Sequence, residues 1–247
     1  MQSNETVVKQ AQAAIERAAR LDPRNSPIAM TFSEGTLTVD GWVPHIGAKK
    51  LVLRATNSVP GVTEVVDHLR MGSNHPLGDG ATRDAVCKQL LESVDFQTCA
   101  IYAWGKGERK VLREAPAAAT GTDAAGVIEV AVADGVVRLS GEVISLSHKR
   151  LAGVLAWWAR GCRDVVNSLT IEPAEDDNEE EIIEALSLVL ETDPMLSLNM
   201  ERVNIACRDR TVTLMGKVRN EAERARIETD VWYIYGVEQV INKLEIA

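Results

Sequence analysis

The chain carries little that announces chemistry. Its 247 residues include four cysteines and four histidines. Cys87, Cys99, Cys162 and Cys207 show no C-x-x-C pair and no zinc-type spacing, so they read as reduced thiols. His45, His68, His75 and His148 are scattered. There is no P-loop, no G-x-S-x-G, no H-E-x-x-H and no pair of carboxylates on a recognisable scaffold. The expectation is a protein without catalysis, metal or cofactor. No apolar run approaches the roughly 20 residues that span a bilayer, so no transmembrane segment is expected. The start, MQSNETVV, lacks a basic stretch followed by an apolar one. As written, the chain reads as cytoplasmic, or as periplasmic if a leader has been trimmed away.

Excess basic charge is missing too. The formal net charge is −9, and six of the acids (Glu175, Asp176, Asp177, Glu179, Glu180 and Glu181) sit in one short run. Without them the balance is −9 + 6 = −3, so the rest of the chain is nearly neutral. Basic residues alternate with acidic ones near the C-terminus, and nucleic acid is not an expected partner.

What the chain does have is a repeat. Gly41, Gly141 and Gly216 each close an apolar-alternating run, and Gly61, Gly161 and Gly236 each follow twenty residues later. Before the first glycine stand Leu37/Val39, Val137/Leu139 and Val212/Leu214. After the second come Val65-Val66-Asp67, Val165-Val166-Asn167 and Val240-Ile241-Asn242. Self-similarity of this density divides the chain before any other reading. The predicted units are 1–72, 80–173 with an insert at about 96–126, and 178–247.

Each unit reads as helix, hairpin, helix, strand. In the first, Glu5–Arg20 has an apolar stripe at helical spacing and stops at Leu21-Asp22-Pro23. Ile28–Phe32 and Thr36–Val43 alternate as strands about a Ser33-Glu34-Gly35 turn; Ile46–Ser58 is a helix and Val62–Met71 a strand. In the second unit the corresponding strand is read over Cys162–Ile171, the first helix over Arg83–Ser93, and residues 72–82 as linker. Within the insert, Thr98–Trp104 alternates like a strand and Ala115–Gly121 reads as a loop. The expected fold class is α+β: three tandem αββαβ units, each a small three-stranded sheet covered by two helices. The six glycines are assigned structural work, the first set at a bulge or close backbone approach and the second at a left-handed helix end. Asp67, Asn167 and Asn242 are expected to make a local backbone hydrogen bond.

These motifs resemble the BON domain, a family named for bacterial osmotically inducible and nodulation proteins. Its V-x-L-x-G-x-V strand end and G-V-x-x-V-x-N-x-L strand stand in the third unit as Val212–Val218 and Gly236–Leu244. The second unit has Cys162 at the Val position, and the first has Asp67 at the Asn position. The resemblance implies phospholipid binding or attachment to membrane and envelope structures, a link to envelope or osmotic stress, and no catalysis.

Comparing the copies separates core from surface. On the second helix of each unit, Val52/Ala152/Ile227, Thr56/Ala156/Val231 and Val59/Ala159/Ile234 form a shared face assigned to the core. Elsewhere on that helix the units differ. Arg54, Asn57 and Ser58 of unit one correspond to Val154, Trp157 and Trp158 of unit two, and to Thr229, Trp232 and Tyr233 of unit three. With Leu151 added, the helix of unit two is apolar beyond its core face, so something besides its own sheet covers it. Another unit, a second subunit and a bilayer would each fit. Lys149, Arg150 and Arg160 flank the two tryptophans, and Lys49, Lys50 and Arg54 stand on the helix of unit one. Anionic lipid would favour such a face by about 1 kcal/mol per nearby basic residue. The candidate lipid or partner surface is therefore Lys49, Lys50, Arg54, Lys149, Arg150, Leu151, Val154, Trp157, Trp158, Arg160, Trp232 and Tyr233. The partner is read as a phospholipid or membrane surface, or as another protein or a second copy of the chain.

Overall fold

A computed structural model describes residues 3–19, 21, 26–72, 77–115, 126–196 and 203–247. The chain forms two compact units, Met1–Gly72 and Ser73–Ala247.

The first unit holds α1 (Asn4–Ala19), β1 (Ile28–Ser33), β2 (Thr36–Val43), α2 (Ile46–Asn57) and β3 (Glu64–Met71). Its sheet runs β1-β2-β3, with β1–β2 antiparallel and β2–β3 parallel. A parallel pair needs a crossover, and α2 supplies it. Alternate residues Leu37, Val39 and Leu69 point inward and meet Val7, Ala11 and Ile15 of α1 and Val52 of α2, closing a separate core.

The second unit holds two further repeats. Repeat 2 has α3 (Asp79–Glu92), a 3-10 turn (Val94–Phe96), β4 (Ala100–Gly105), β5 (Glu108–Arg113), β6 (Val127–Ala133), β7 (Val136–Val143), α4 (Leu146–Trp158), β8 (Asp164–Asn167) and β9 (Thr170–Ile171). Repeat 3 has α5 (Glu179–Thr192), β10 (Val203–Arg208), β11 (Thr211–Val218), α6 (Glu221–Tyr233) and β12 (Gln239–Ile246). One continuous core serves both: Leu139, Leu155, Leu186 and Leu214 all belong to it.

The α+β class and the αββαβ pattern hold, with three differences in repeat 2. Its sheet has six strands: the insert forms a β4–β5 hairpin that lengthens the sheet to β5-β4-β6-β7-β8, and β9 pairs β7 as the sixth. Helix α3 starts at Asp79, inside the stretch read as linker, whose residues 73–76 lie outside the described ones. The closing strand is split into β8 and β9, both parallel to β7. The loop read at Ala115–Gly121 lies almost wholly outside the described residues.

Three recurrent details fix each repeat. The second helix is capped at one equivalent position by His45 Nδ1, Ser145 Oγ and Asn220 Oδ1, which accept from the amides of Ala48, His148 and Glu223 at 3.1, 3.2 and 2.9 Å. In repeats 1 and 2 the first glycine lies where the edge of the hairpin passes close: a Cβ on Gly141 would stand 2.1 Å from the Val127 carbonyl oxygen, and one on Gly41 2.4 Å from that of Pro27. The third detail is a pin between the last strand and the second helix. Asp67, Asn167 and Asn242 each accept from the amide two residues on, at 2.9, 3.3 and 3.0 Å. The two asparagines also donate, Asn167 to the Lys149 carbonyl at 2.7 Å and Asn242 to Glu228 Oε2 at 2.8 Å. A carboxylate has no proton to donate, so Asp67 needs a donor in return, and Lys49 Nζ stands 2.9 Å away. The replacement of Asn by Asp in repeat 1 is thereby matched on the facing helix.

Candidate functional site: the contact between repeats 2 and 3

Helix α4 packs against both α5 and α6, so the helical layers of repeats 2 and 3 face one another. The face that the sequence leaves uncovered on α4 is used here. Leu151 and Val154 are fully buried. Trp157 stacks on Tyr233 with ring centroids 5.4 Å apart and planes 11° from parallel. The indole N–H of Trp158 donates to Asp230 Oδ1 at 2.8 Å, and the Arg226 guanidinium lies 5.4 Å from the Trp158 ring. Trp232 is buried as well.

The basic candidates separate into two groups. Arg150, 1% exposed, donates to the Tyr235 carbonyl at 3.1 Å and to Asp177 Oδ1 at 2.5 Å. Asp177 also faces Arg210 at 3.6 Å. The acidic run takes part in this contact. Its Asp177 joins the two repeats, its Glu175 accepts from the amide of Leu146 at the start of α4 (2.7 Å), and Asn178 caps α5. Lys49 is buried in its pin with Asp67 and also donates to the Leu69 carbonyl at 3.0 Å. Lys149 is half-buried, its ammonium 5.5 Å from the Tyr235 ring. Lys50 is half-buried, and Arg54 and Arg160 are exposed. So the structure brings together Arg150, Leu151, Val154, Trp157, Trp158 and Tyr233 in the repeat 2–repeat 3 region. It leaves Lys50 and Arg54 on repeat 1 and Arg160 at the surface.

A buried acid pair completes the contact and was not singled out in the sequence. Asp193, just past α5, and Asp230 on α6 are 1% and 0% exposed. Arg226 Nε lies 2.6 Å from Asp193 Oδ2 and 3.4 Å from Asp230 Oδ2. One guanidinium cannot balance two buried carboxylates. Burial pushes Asp230 up to about 8, Asp193 adds to that, and Arg226 and Trp158 oppose it. For Asp193, burial acts upward too, but hydrogen bonds from Arg226, Asp230 and the Met195 amide outweigh it and hold the group below its usual value. As a carboxylate, Asp230 would have no hydrogen-bond donor for Oδ2. Protonated, it donates to Asp193. The sequence signal was weak: an Asp on the apolar side of α6, one turn after Arg226.

Elsewhere, an open groove of about 690 Å³ runs between α3 and the β4–β5 hairpin, lined by Arg83, Cys87, Lys88, Arg109 and Lys110 among others. Burial pushes the Cys87 thiol up to about 11, so it stays protonated at neutral pH. Burial also raises Cys99 and Cys207. Among the described residues no cluster of His, Cys, Asp or Glu is placed to hold a metal ion, and no helix is long and apolar enough to cross a membrane.

The profile of the BON domain family matches residues 3–73, 108–173 and 178–247. The chain belongs to the BON domain family. One match falls on each repeat, the second beginning at β5 and leaving α3 and β4 outside it. No curated protein matches the chain. Among solved structures it is similar to the C-terminal domain of CdsD, the structural protein of the type III secretion system of Chlamydia trachomatis. That likeness has 15% identity, 95% of this chain and 96% of the other covered, and a TM-score of 0.24. A second CdsD structure gives 16% identity, coverage of 98% and 93%, and the same TM-score of 0.24. Similarity at that level carries no functional argument.

Proposed function

We propose that this BON-domain chain is a noncatalytic assembly protein: repeats 2 and 3 form one block, and repeat 1 is a separate module that engages a partner. The observation behind this reading is where the aromatic face of α4 goes. Trp157 and Trp158 meet Tyr233 and Asp230 of the same chain, so the residues best suited to a bilayer or a second subunit are used inside the block. Repeat 1 has Arg54, Asn57 and Ser58 at the equivalent positions, all exposed, and cannot make the same contact.

Membrane association is the second reading, and one feature favours it. Trp42, 44% exposed, stands in register with Arg70 on the sheet of repeat 1, an aromatic–basic pairing suited to a headgroup region. Co-sedimentation with anionic and neutral vesicles at low and high salt tests the two together. The assembly reading expects no salt-sensitive pelleting. Pelleting with anionic vesicles alone, lost on Trp42→Ser or Arg54→Glu, would replace it with the membrane reading.

A further inference from the structure

Repeat 2 shows what the first hairpin strand of this fold can accept. Its β6 carries a parallel neighbour, β4, in the register Ile101↔Ile128 and Ala103↔Val130. With β4 in place, Ile128 and Val130 are fully buried. The equivalent strand of repeat 1 is β1, which lies at the edge of its sheet. There Ile28, Met30 and Phe32 occupy the places of Ile128, Val130 and Val132, and all three are only half-buried. A sheet edge presents unpaired backbone N–H and C=O groups, a template for a further strand.

Two hollows border residues at the two ends of β1. One, of about 230 Å³, is lined by Gln12, Ile15, Glu16, Leu21, Pro27 and Ile28. The other, of about 460 Å³, is lined by Val7, Phe32, Glu34, Pro60 and Gly61 among others. From Ile28 to Phe32 is four residues, about 13 Å of extended chain. The hollow bordered by Pro27 and Ile28 is the one that an inward side chain of an added strand meets.

We infer that the outer edge of β1 takes up a parallel β-strand from a partner protein, as β6 takes up β4 within the chain. The segment has aliphatic residues at alternate positions, the larger beside Ile28, as β4 places Ile101 and Ala103 beside Ile128 and Val130. Glu16 and Glu34 at the two ends favour basic residues flanking it. Main-chain hydrogen bonds provide the pairing and the hollow beside Ile28 selects the side chain that enters it. The inference rests on repeat 1 being the partner-binding module and names what that module binds.

The probe is a synthetic peptide with the sequence of residues 99–105, Cys99 replaced by Ser and a Lys added at each end. Hydrogen exchange is measured on the full chain with and without it. The expected result is about tenfold slower exchange of the edge-facing amides within residues 28–33, unchanged exchange in residues 203–208, and loss of the effect in Met30→Lys but not in Thr31→Lys, whose side chain points to the other face. Met30→Ala, a smaller change, should weaken the effect and guards against misfolding of the Lys variant. Absence of protection at millimolar peptide would overturn the inference while leaving the block-and-module reading intact. Protection of residues 28–33 that appears without peptide and grows with protein concentration would overturn it in favour of a second copy of the chain. Protection by anionic vesicles but not by peptide would overturn it together with the assembly reading.

Discussion

Asp230→Asn is the sharpest probe of the contact between repeats 2 and 3. An amide is nearly isosteric with the protonated carboxyl. Its N–H can donate to Asp193 as the acid does, and its oxygen can accept from Trp158, now 2.8 Å away. The sign follows from proton linkage. The folded value of about 8 lies above the ordinary 3.8, so the folded state holds the proton more tightly. That contribution is fully present below the unfolded value and is lost as pH rises through the folded one. A whole proton costs about 1.4 kcal/mol per pH unit between the two values, so the ceiling from pH 5 to pH 8 is about 4 kcal/mol. Asp193 and Arg226 share the titration, so about 2–4 kcal/mol is expected. Urea unfolding of wild type and variant at pH 5, 6.5 and 8, followed by the near-ultraviolet signal of the stacked Trp157–Tyr233 pair, measures it. The two proteins should lie within about 1 kcal/mol at pH 5, with the variant pulling ahead as pH rises. A difference that does not change with pH would refute the shared-proton account, as would a wild type that is more stable than the variant at pH 8.

Other outcomes follow from the same contacts. Asp193→Asn should behave oppositely: Asp193 is held low, so its contribution is present above about 3.8 and the loss, about 1–3 kcal/mol at neutral pH, should shrink only as acid protonates the wild type. Lys49→Met alone leaves Asp67 without its cation and should destabilise repeat 1 by about 2–3 kcal/mol, whereas Lys49→Met with Asp67→Asn should recover most of that by restoring the amide used in repeats 2 and 3; a double-mutant cycle of thermal melts checks it. Trp158→Ala should cost the block about 3–5 kcal/mol without altering exchange protection in residues 3–72, because cavity formation adds to an unpaired Asp230. Gly141→Ala, which drives a Cβ to 2.1 Å from a carbonyl oxygen, should be far more damaging than Gly61→Ala, whose added Cβ meets nothing within 4 Å and incurs only the left-handed backbone penalty of about 1 kcal/mol; denaturant midpoints compare the two.

Residue order alone determined the repeat and most of its interior. The spacing of Gly41 to Gly61 and of its two copies, the alternation at Leu37/Val39, and the shared helix face at Val52, Ala152 and Ile227 are local periodicities, and all three helix residues are buried in a core. The asparagine pin was legible too, because an Asx side chain reaches the amide two residues on without help from elsewhere. Sequence also showed that the helix with Trp157 and Trp158 needed a cover, but it could not say which. That choice depends on surfaces far apart in the chain, and tertiary structure decided it by placing Tyr233 and Asp230 opposite them. The same holds for Lys49, which looks like a surface cation by type and is buried where Asp67, eighteen residues on, and the Leu69 carbonyl meet it. It holds again for Arg150, buried only where Asp177 and the Tyr235 carbonyl converge on it. Periodicity records which side of an element is apolar. What an apolar or charged side meets is fixed by packing between distant segments, and there the ion pairs and the burial of Asp193 beside Asp230 were settled.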